Sequence, residues 1–180
     1  MLTAQRPDLV SSLVVEEETF PGVDVAIPEP GASAYPAWHG PFNRAVGLAE
    51  ALVPGNEDAY FGQFLRESAG PLGLEADAVQ EYLAAYRSAG ALGPSLAYYR
   101  TRDLDLVGVH ELRGRGRDVP CLAVGDRFAM GPAVADGLRA VGTHPREVVM
   151  PIAGHYPAEQ EPAELCRAVL QFLSDSAPTP

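Results

Sequence analysis

Val119-Pro120-Cys121-Leu122-Ala123-Val124-Gly125-Asp126 is a short apolar run that stops on a glycine and an acid. Further on, Glu147-Val148-Val149-Met150-Pro151-Ile152 repeats the form and stops before Gly154-His155. Apolar runs of this length, bounded by turn residues, read as strands buried on both faces of a parallel sheet. Between them Pro132 to Val141 reads as a helix opened by a proline in its first turn. After them Glu164 to Leu173 sets Leu165, Val169, Phe172 and Leu173 on one helical face. Strand, helix, strand, helix implies parallel pairing through right-handed crossovers. The fold class is α/β.

Working outward, Leu13-Val14-Val15 is a third apolar run, ending in Glu16-Glu17-Glu18. Leu2 to Gln5 reads as the last turn of a helix, with Arg6-Pro7-Asp8 as its exit. The middle of the chain has a different period. A Pro/Gly/Ala loop runs to Pro36, and helical stripes follow: Tyr60, Phe61, Phe64 and Leu65, then Val79, Tyr82, Leu83 and Tyr86. Leu92, Leu96 and Tyr99 suggest one more, with Gly93-Pro94 in its first turn and Arg100 and Arg102 near its end. The expected division is therefore a core built from residues 1–22 and 108–180, interrupted by a helical cap over 23–107.

Composition excludes several kinds of function. A length of 180 residues with 47% apolar and 21% charged residues suits one ordinary folded domain. The net charge of −11 argues against nucleic acid, whose binding requires clustered cations. Arg113, Arg115 and Arg117 alternate with glycines and read as a solvated loop. The absence of lysine removes Schiff-base chemistry and the phosphate-loop lysine. Cys121 and Cys166 form no disulfide framework, and the four histidines lack metal-ligand spacing. No cofactor or metal is expected. No apolar run approaches the ~20 residues that span a bilayer, and the start lacks a signal-peptide pattern, so a cytoplasmic location is expected.

In open parallel sheets reactive groups gather beyond the carboxyl ends of strands. Glu17, Asp126 and His155 stand at such ends. A histidine with a carboxylate behind it is the pairing a general base needs, since the acid fixes the imidazole tautomer and stabilises its charged form. Each residue also has a plainer reading: a turn histidine capping a backbone group, an Asx turn at Asp126, a solvated strand end at Glu17. Their shared placement favours chemistry.

The order of these pieces resembles the epoxide hydrolase and haloalkane dehalogenase branch of the α/β-hydrolases. The resemblance rests on Arg6-Pro7-Asp8-Leu9-Val10-Ser11-Ser12-Leu13-Val14-Val15-Glu16-Glu17, Leu96-Ala97-Tyr98-Tyr99-Arg100 and Gly154-His155-Tyr156-Pro157-Ala158-Glu159-Gln160-Glu161-Pro162, and covers essentially the whole chain. It implies a partial α/β-hydrolase fold of about three parallel strands with flanking helices and a helical cap. It implies His155 as general base and Asp126 as the acid that orients it, with Glu17 as the alternative acid on the earlier strand. Tyr99 would donate a hydrogen bond to the epoxide oxygen, and Trp38, His39, Phe42 and Tyr98 would line the substrate site; core packing is the simpler role for Trp38. The attacking aspartate and oxyanion loop of such enzymes lie ahead of the first strand, and Met1 to Gln5 matches the helix just after that turn. Hydrolysis of a small apolar epoxide is thus the expected chemistry, with little activity from the chain alone. The strand edge Ser12–Glu16 would then be covered by a partner chain or a second copy. The alternatives are a non-hydrolytic ligand-binding or cyclase-type protein on the same scaffold, and an inert interaction remnant.

Overall fold

The computed structural model describes residues 2–115 and 118–176. A short helix, α1 (Leu2–Gln5), and a 3-10 turn at Pro7–Leu9 lead into strand β1 (Leu13–Glu16). Helices α2 (Gly31–Ala34), α3 (His39–Arg44), α4 (Leu48–Leu52), α5 (Glu57–Ser68), α6 (Ala76–Tyr86), α7 (Leu92–Arg100) and α8 (Arg102–Leu112) follow without an intervening strand. The chain then returns to the sheet as β2 (Cys121–Asp126), α9 (Ala133–Ala140), β3 (Arg146–Met150), α10 (Pro157–Gln160) and α11 (Pro162–Ser176). The three strands are parallel in the order β1-β2-β3, with Leu13 opposite Cys121 and Leu122 opposite Arg146.

The alternation of β2 explains the layers. Every residue of this central strand is buried. Cys121 and Ala123 pack with Val134, Ala135 and Leu138 of α9, joined by Leu13 and Val15. Leu122 and Val124 pack on the other face with Met150 and with Phe172, Leu165 and Val169 of α11. Each buried Leu, Val or Phe contributes about 1.5–3 kcal/mol of transfer free energy. The helices between β1 and β2 have their own apolar cluster of Ala49, Val53, Phe61, Leu65, Leu83 and Leu96. There Phe61 stacks on Tyr86 with ring centroids 3.8 Å apart.

Element boundaries differ from the sequence expectation for local reasons. β2 starts at Cys121 rather than Val119 because Pro120 has no N–H to give the ladder; its carbonyl instead accepts from the Leu13 amide at 2.9 Å. It also runs on through Gly125 and Asp126. β3 ends at Met150, before the next proline. Gly93-Pro94 falls in the first turn of α7, where a missing N–H is harmless. The expected boundary between 107 and 108 lies inside α8. Gly108 costs that helix about 1 kcal/mol relative to alanine but does not end it. The loop before Pro36 holds the short α2. Of the arginine cluster, Arg113 donates to the Ala140 carbonyl at 2.6 Å, and Arg117 lies outside the described residues.

One sheet surface is left uncovered. Val14 shares the face of its partner Leu122 yet is 37% exposed, and β1 has no strand along its outer edge among the described residues. No helix of the described residues is long and apolar enough to cross a membrane.

Candidate active site

Glu17 follows directly on β1 with φ of 51°, a left-handed conformation that costs a non-glycine residue about 1–3 kcal/mol. The turn swings its side chain beneath the sheet end, where it is only 3% exposed. There Oε1 accepts from the Asp126 amide at 2.5 Å and Oε2 accepts from the Met130 amide at 3.1 Å. The same Oε2 lies 3.2 Å from Nδ1 of His155. A strained, fully ligated carboxylate facing an imidazole is the arrangement that fixes a tautomer: Nδ1 carries its proton toward Glu17 and Nε2 keeps a lone pair.

His155 is held on the other side by the cap. Its amide donates to the Ser68 carbonyl at 2.8 Å, at the end of α5. Ser68 Oγ is 2.8 Å from the Tyr156 hydroxyl. Gln160 accepts from the Gly154 amide at 3.0 Å and donates to the carbonyls of Ala69 and of Gly73, the latter at 2.7 Å. Gly154 is required for this contact, because a Cβ there would stand 2.4 Å from the Ala69 carbonyl carbon and 2.5 Å from the Gly70 nitrogen. The histidine loop and the end of α5 therefore pack backbone on backbone.

Asp126 was the acid expected to orient His155. The structure gives that hydrogen bond to Glu17 instead. Asp126 turns back on its own chain, with Oδ1 accepting from the Phe128 amide at 2.7 Å in an Asx turn. It is fully buried, and its Oδ2 has no hydrogen-bond partner among the described residues. The nearby Ala153 amide donates to Glu161 at 3.1 Å. Burial chiefly, with the Glu17 charge adding to it and the Phe128 amide opposing, raises the Asp126 pKa from 3.8 to about 6.

That shift has a direction that can be measured. Between pH 4 and 6 the folded protein holds a proton that the unfolded chain has released, so stability falls as pH rises through that window. Above it the deficit is on the order of 3 kcal/mol for two pKa units. Asp126→Asn removes the titration. Its stability relative to the unsubstituted protein is expected to rise by about 1–3 kcal/mol between pH 4.5 and 7.5 in urea melts. A difference that does not change with pH would refute the assignment.

The cap residues divide. His39 and Tyr99 line a cavity of about 190 Å³ with Asn43, Tyr60, Phe64 and Tyr98. The His39 and Tyr99 rings meet edge to face at 5.6 Å. The His39 ring, through Nδ1, is bonded to the Pro36 carbonyl, and burial lowers its pKa. Burial raises the pKa of Tyr99, which keeps it a phenol. Tyr98 is 65% exposed and donates to Glu18 at 2.8 Å. Trp38 and Phe42 are not in the cavity wall: the Trp38 indole donates to Glu67 at 2.6 Å, and Phe42 packs on the cap core. The cap phenol that reaches His155 is Tyr35, whose hydroxyl is 3.5 Å from Nε2. Tyr35 sits in the loop ahead of the helical stripes, and nothing in its spacing marked it; Gln160 likewise showed no pattern. Among the described residues no group of three or more His, Cys, Asp or Glu is placed to hold a metal.

No family model matches the chain and no curated protein matches it. Solved structures do. Cfl2 from Burkholderia cenocepacia is 28% identical, with a TM-score of 0.81 over 94% of this chain and 59% of that one. The epoxide hydrolase CorEH is 18% identical, with a TM-score of 0.81 over 98% of this chain and 63% of that one. A Salmonella enterica protein provisionally classed as an acyltransferase is 17% identical, with a TM-score of 0.82 over 98% and 60%. The chain thus spans about three-fifths of the length of the structures it matches. Their names differ in chemistry, so what they share is architecture. The described residues form a partial α/β-hydrolase fold, in which three parallel strands and their flanking helices carry a helical cap inserted after the first strand.

Proposed function

We propose that the chain is the cap and C-terminal part of an epoxide-hydrolase-like α/β-hydrolase acting on a small apolar epoxide. The observation that carries this reading is the His155–Glu17 pair, which meets at 3.2 Å beyond the carboxyl ends of β1 and β3, across the central strand. In the proposed reaction a group from another segment attacks the epoxide carbon as the ring C–O bond breaks. His155 then takes a proton at Nε2 from the water that cleaves the resulting covalent bond and releases the diol, while Glu17 stabilises the imidazolium. Tyr99 donates to the ring oxygen as its carbon–oxygen bond opens, a task for which a phenol need not ionise first. Asp126 supports the loop rather than the base. The attacking group and oxyanion donors would come from a segment pairing along the open edge Ser12–Glu16.

A second reading, ligand binding without hydrolysis, is favoured by one feature: the cavity wall contains His39 and Tyr99 but neither His155 nor Glu17. Titration with styrene oxide of the chain mixed with the N-terminal half of a structurally matching epoxide hydrolase, followed by NMR of the histidine rings and by chromatography of the diol, separates the two. Diol formation that disappears in His155→Ala supports the hydrolase. Shifts at His39 without diol support binding alone. No shift and no diol would sink both.

A further inference from the structure

Tyr35 ends α2, its amide donating to the Gly31 carbonyl at 2.9 Å. Its backbone is extended, as a residue before proline requires. From there the ring stands between two imidazoles. It meets His155 edge-on at 4.8 Å and His39 edge-on at 5.5 Å, with Phe64 at 6.4 Å. Tyr35 thus joins the sheet-end histidine to the cap histidine in the cavity wall, as Phe64 also does with centroids 4.6 Å from His39 and 6.5 Å from His155; of the two, Tyr35 alone carries a hydroxyl.

The direction of the hydrogen bond follows from its neighbours. Glu17 holds the proton of His155 on Nδ1, so Nε2 presents a lone pair. Burial, reinforced by the nearby Tyr99, Glu18, Tyr156 and Glu17, holds the Tyr35 phenol well above its ordinary pKa, so the hydroxyl keeps its proton. The O–H donates and Nε2 accepts. At 3.5 Å the bond is at the outer limit of useful length, which makes it weak and easily exchanged.

We propose that Tyr35 is a positioning residue for His155: its hydroxyl completes a Glu17–His155–Tyr35 chain and covers the basic nitrogen until a water or substrate oxygen displaces it. This rests on the reading of His155 as the base. The three groups have the order carboxylate, imidazole, hydroxyl, but the hydroxyl here is a protonated phenol, and its role is to hold and shield the ring. Displacement requires only that the Tyr35 hydroxyl leave Nε2, with the ring contacts to His39 and Phe64 guiding its return.

The test is the reactivity of Nε2 in the intact chain. Diethyl pyrocarbonate modifies unprotonated imidazole, and peptide mass mapping reads each histidine separately. His110 and His144 are exposed and serve as references in the same tube. Tyr35→Phe keeps the ring and removes the hydroxyl. Modification of His155 is expected to speed up about three- to tenfold, the factor set by one weak hydrogen bond, with His110 and His144 unchanged. Equal His155 rates in the two proteins would overturn the proposal. If Tyr35→Phe does not fold, nitrogen-15 NMR of the unsubstituted protein decides. An Nε2 resonance shifted upfield, as for a bonded pyridine-type nitrogen, supports the contact, and a free-nitrogen position overturns it. Neither readout needs turnover. Failure to hydrolyse styrene oxide therefore leaves the test standing, and a negative result here leaves the hydrolase reading to its own assay.

Discussion

Replacing Gly125 by alanine is expected to leave little or no folded protein. Gly125 lies near the end of β2, where the chain after the strand folds back over it. A Cβ built there stands 1.9 Å from the Gly131 carbonyl oxygen and 2.7 Å from its carbon. Both are backbone atoms of the turn that leads into α9, so no side-chain rotation relieves the clash. That turn is itself fixed, because the amides of Ala129 and Gly131 both donate to the Asp126 carbonyl, at 3.0 and 2.8 Å. Moving it would also pull Met130 from Glu17. The cost is expected to exceed about 4 kcal/mol, a large part of what holds a domain of this size. Gly137→Ala is the control: it lies in α9 with its nearest neighbour, a Phe20 ring carbon, at 3.7 Å. Alanine there is expected to be neutral or stabilising by up to about 1 kcal/mol. Soluble yield and urea unfolding by circular dichroism read both. A Gly125→Ala protein with an unchanged midpoint would show that the close approach is wrong.

The second large effect is at Glu17, and here alanine and glycine should differ. Either substitution deprives the Asp126 and Met130 amides of their acceptor in a buried site and leaves Nδ1 of His155 unpaired. Leaving buried donors unsatisfied costs about 1–3 kcal/mol each, so Glu17→Ala is expected to lose about 3 kcal/mol. Glu17→Gly should lose about 1 kcal/mol less, because glycine accepts the φ of 51° without strain. Any hydrolytic turnover measured with the chain in place should fall by about 10³- to 10⁴-fold in both, by analogy with removing the acid behind a catalytic histidine. Equal stability of the alanine and glycine variants would remove the strain argument. Undiminished turnover would remove Glu17 from the base.

The two effects show where sequence reading reached its limit. Glu17, Asp126 and His155 could all be placed at strand ends from the apolar runs before them, because a parallel strand announces itself as a short apolar stretch closed by turn residues. Which acid meets the imidazole could not be read this way. Asp126 occupies the last position of β2, opposite Met150, and its carboxylate returns to the Phe128 amide two residues on. Glu17, one residue past β1, is turned by its left-handed backbone so that its side chain passes under Asp126 toward His155. A sign change in one φ decides the partner.

Tyr35 and Gln160 escaped notice for a related reason. Tyr35 precedes Pro36 in a loop without period and reaches His155 across 120 positions of chain. Gln160 closes a short helix and binds carbonyls at Ala69 and Gly73 in the cap. Such contacts depend on how the inserted helices dock on the sheet, and no local pattern encodes docking.

The sequence by itself determined the α/β class, the three parallel strands, the helical insertion between the first and second, and the strand-end histidine. Those follow from periodicity and from the turn residues that stop each run, which are properties of neighbouring positions along the chain. Tertiary structure alone decided that Glu17 is the partner of His155, that Asp126 is buried with one oxygen unpaired among the described residues, and that the Tyr35 hydroxyl lies 3.5 Å from Nε2. Those depend on distances between side chains brought together from β1, the cap and the loop after β3, and on a backbone conformation at Glu17 that its residue type does not favour.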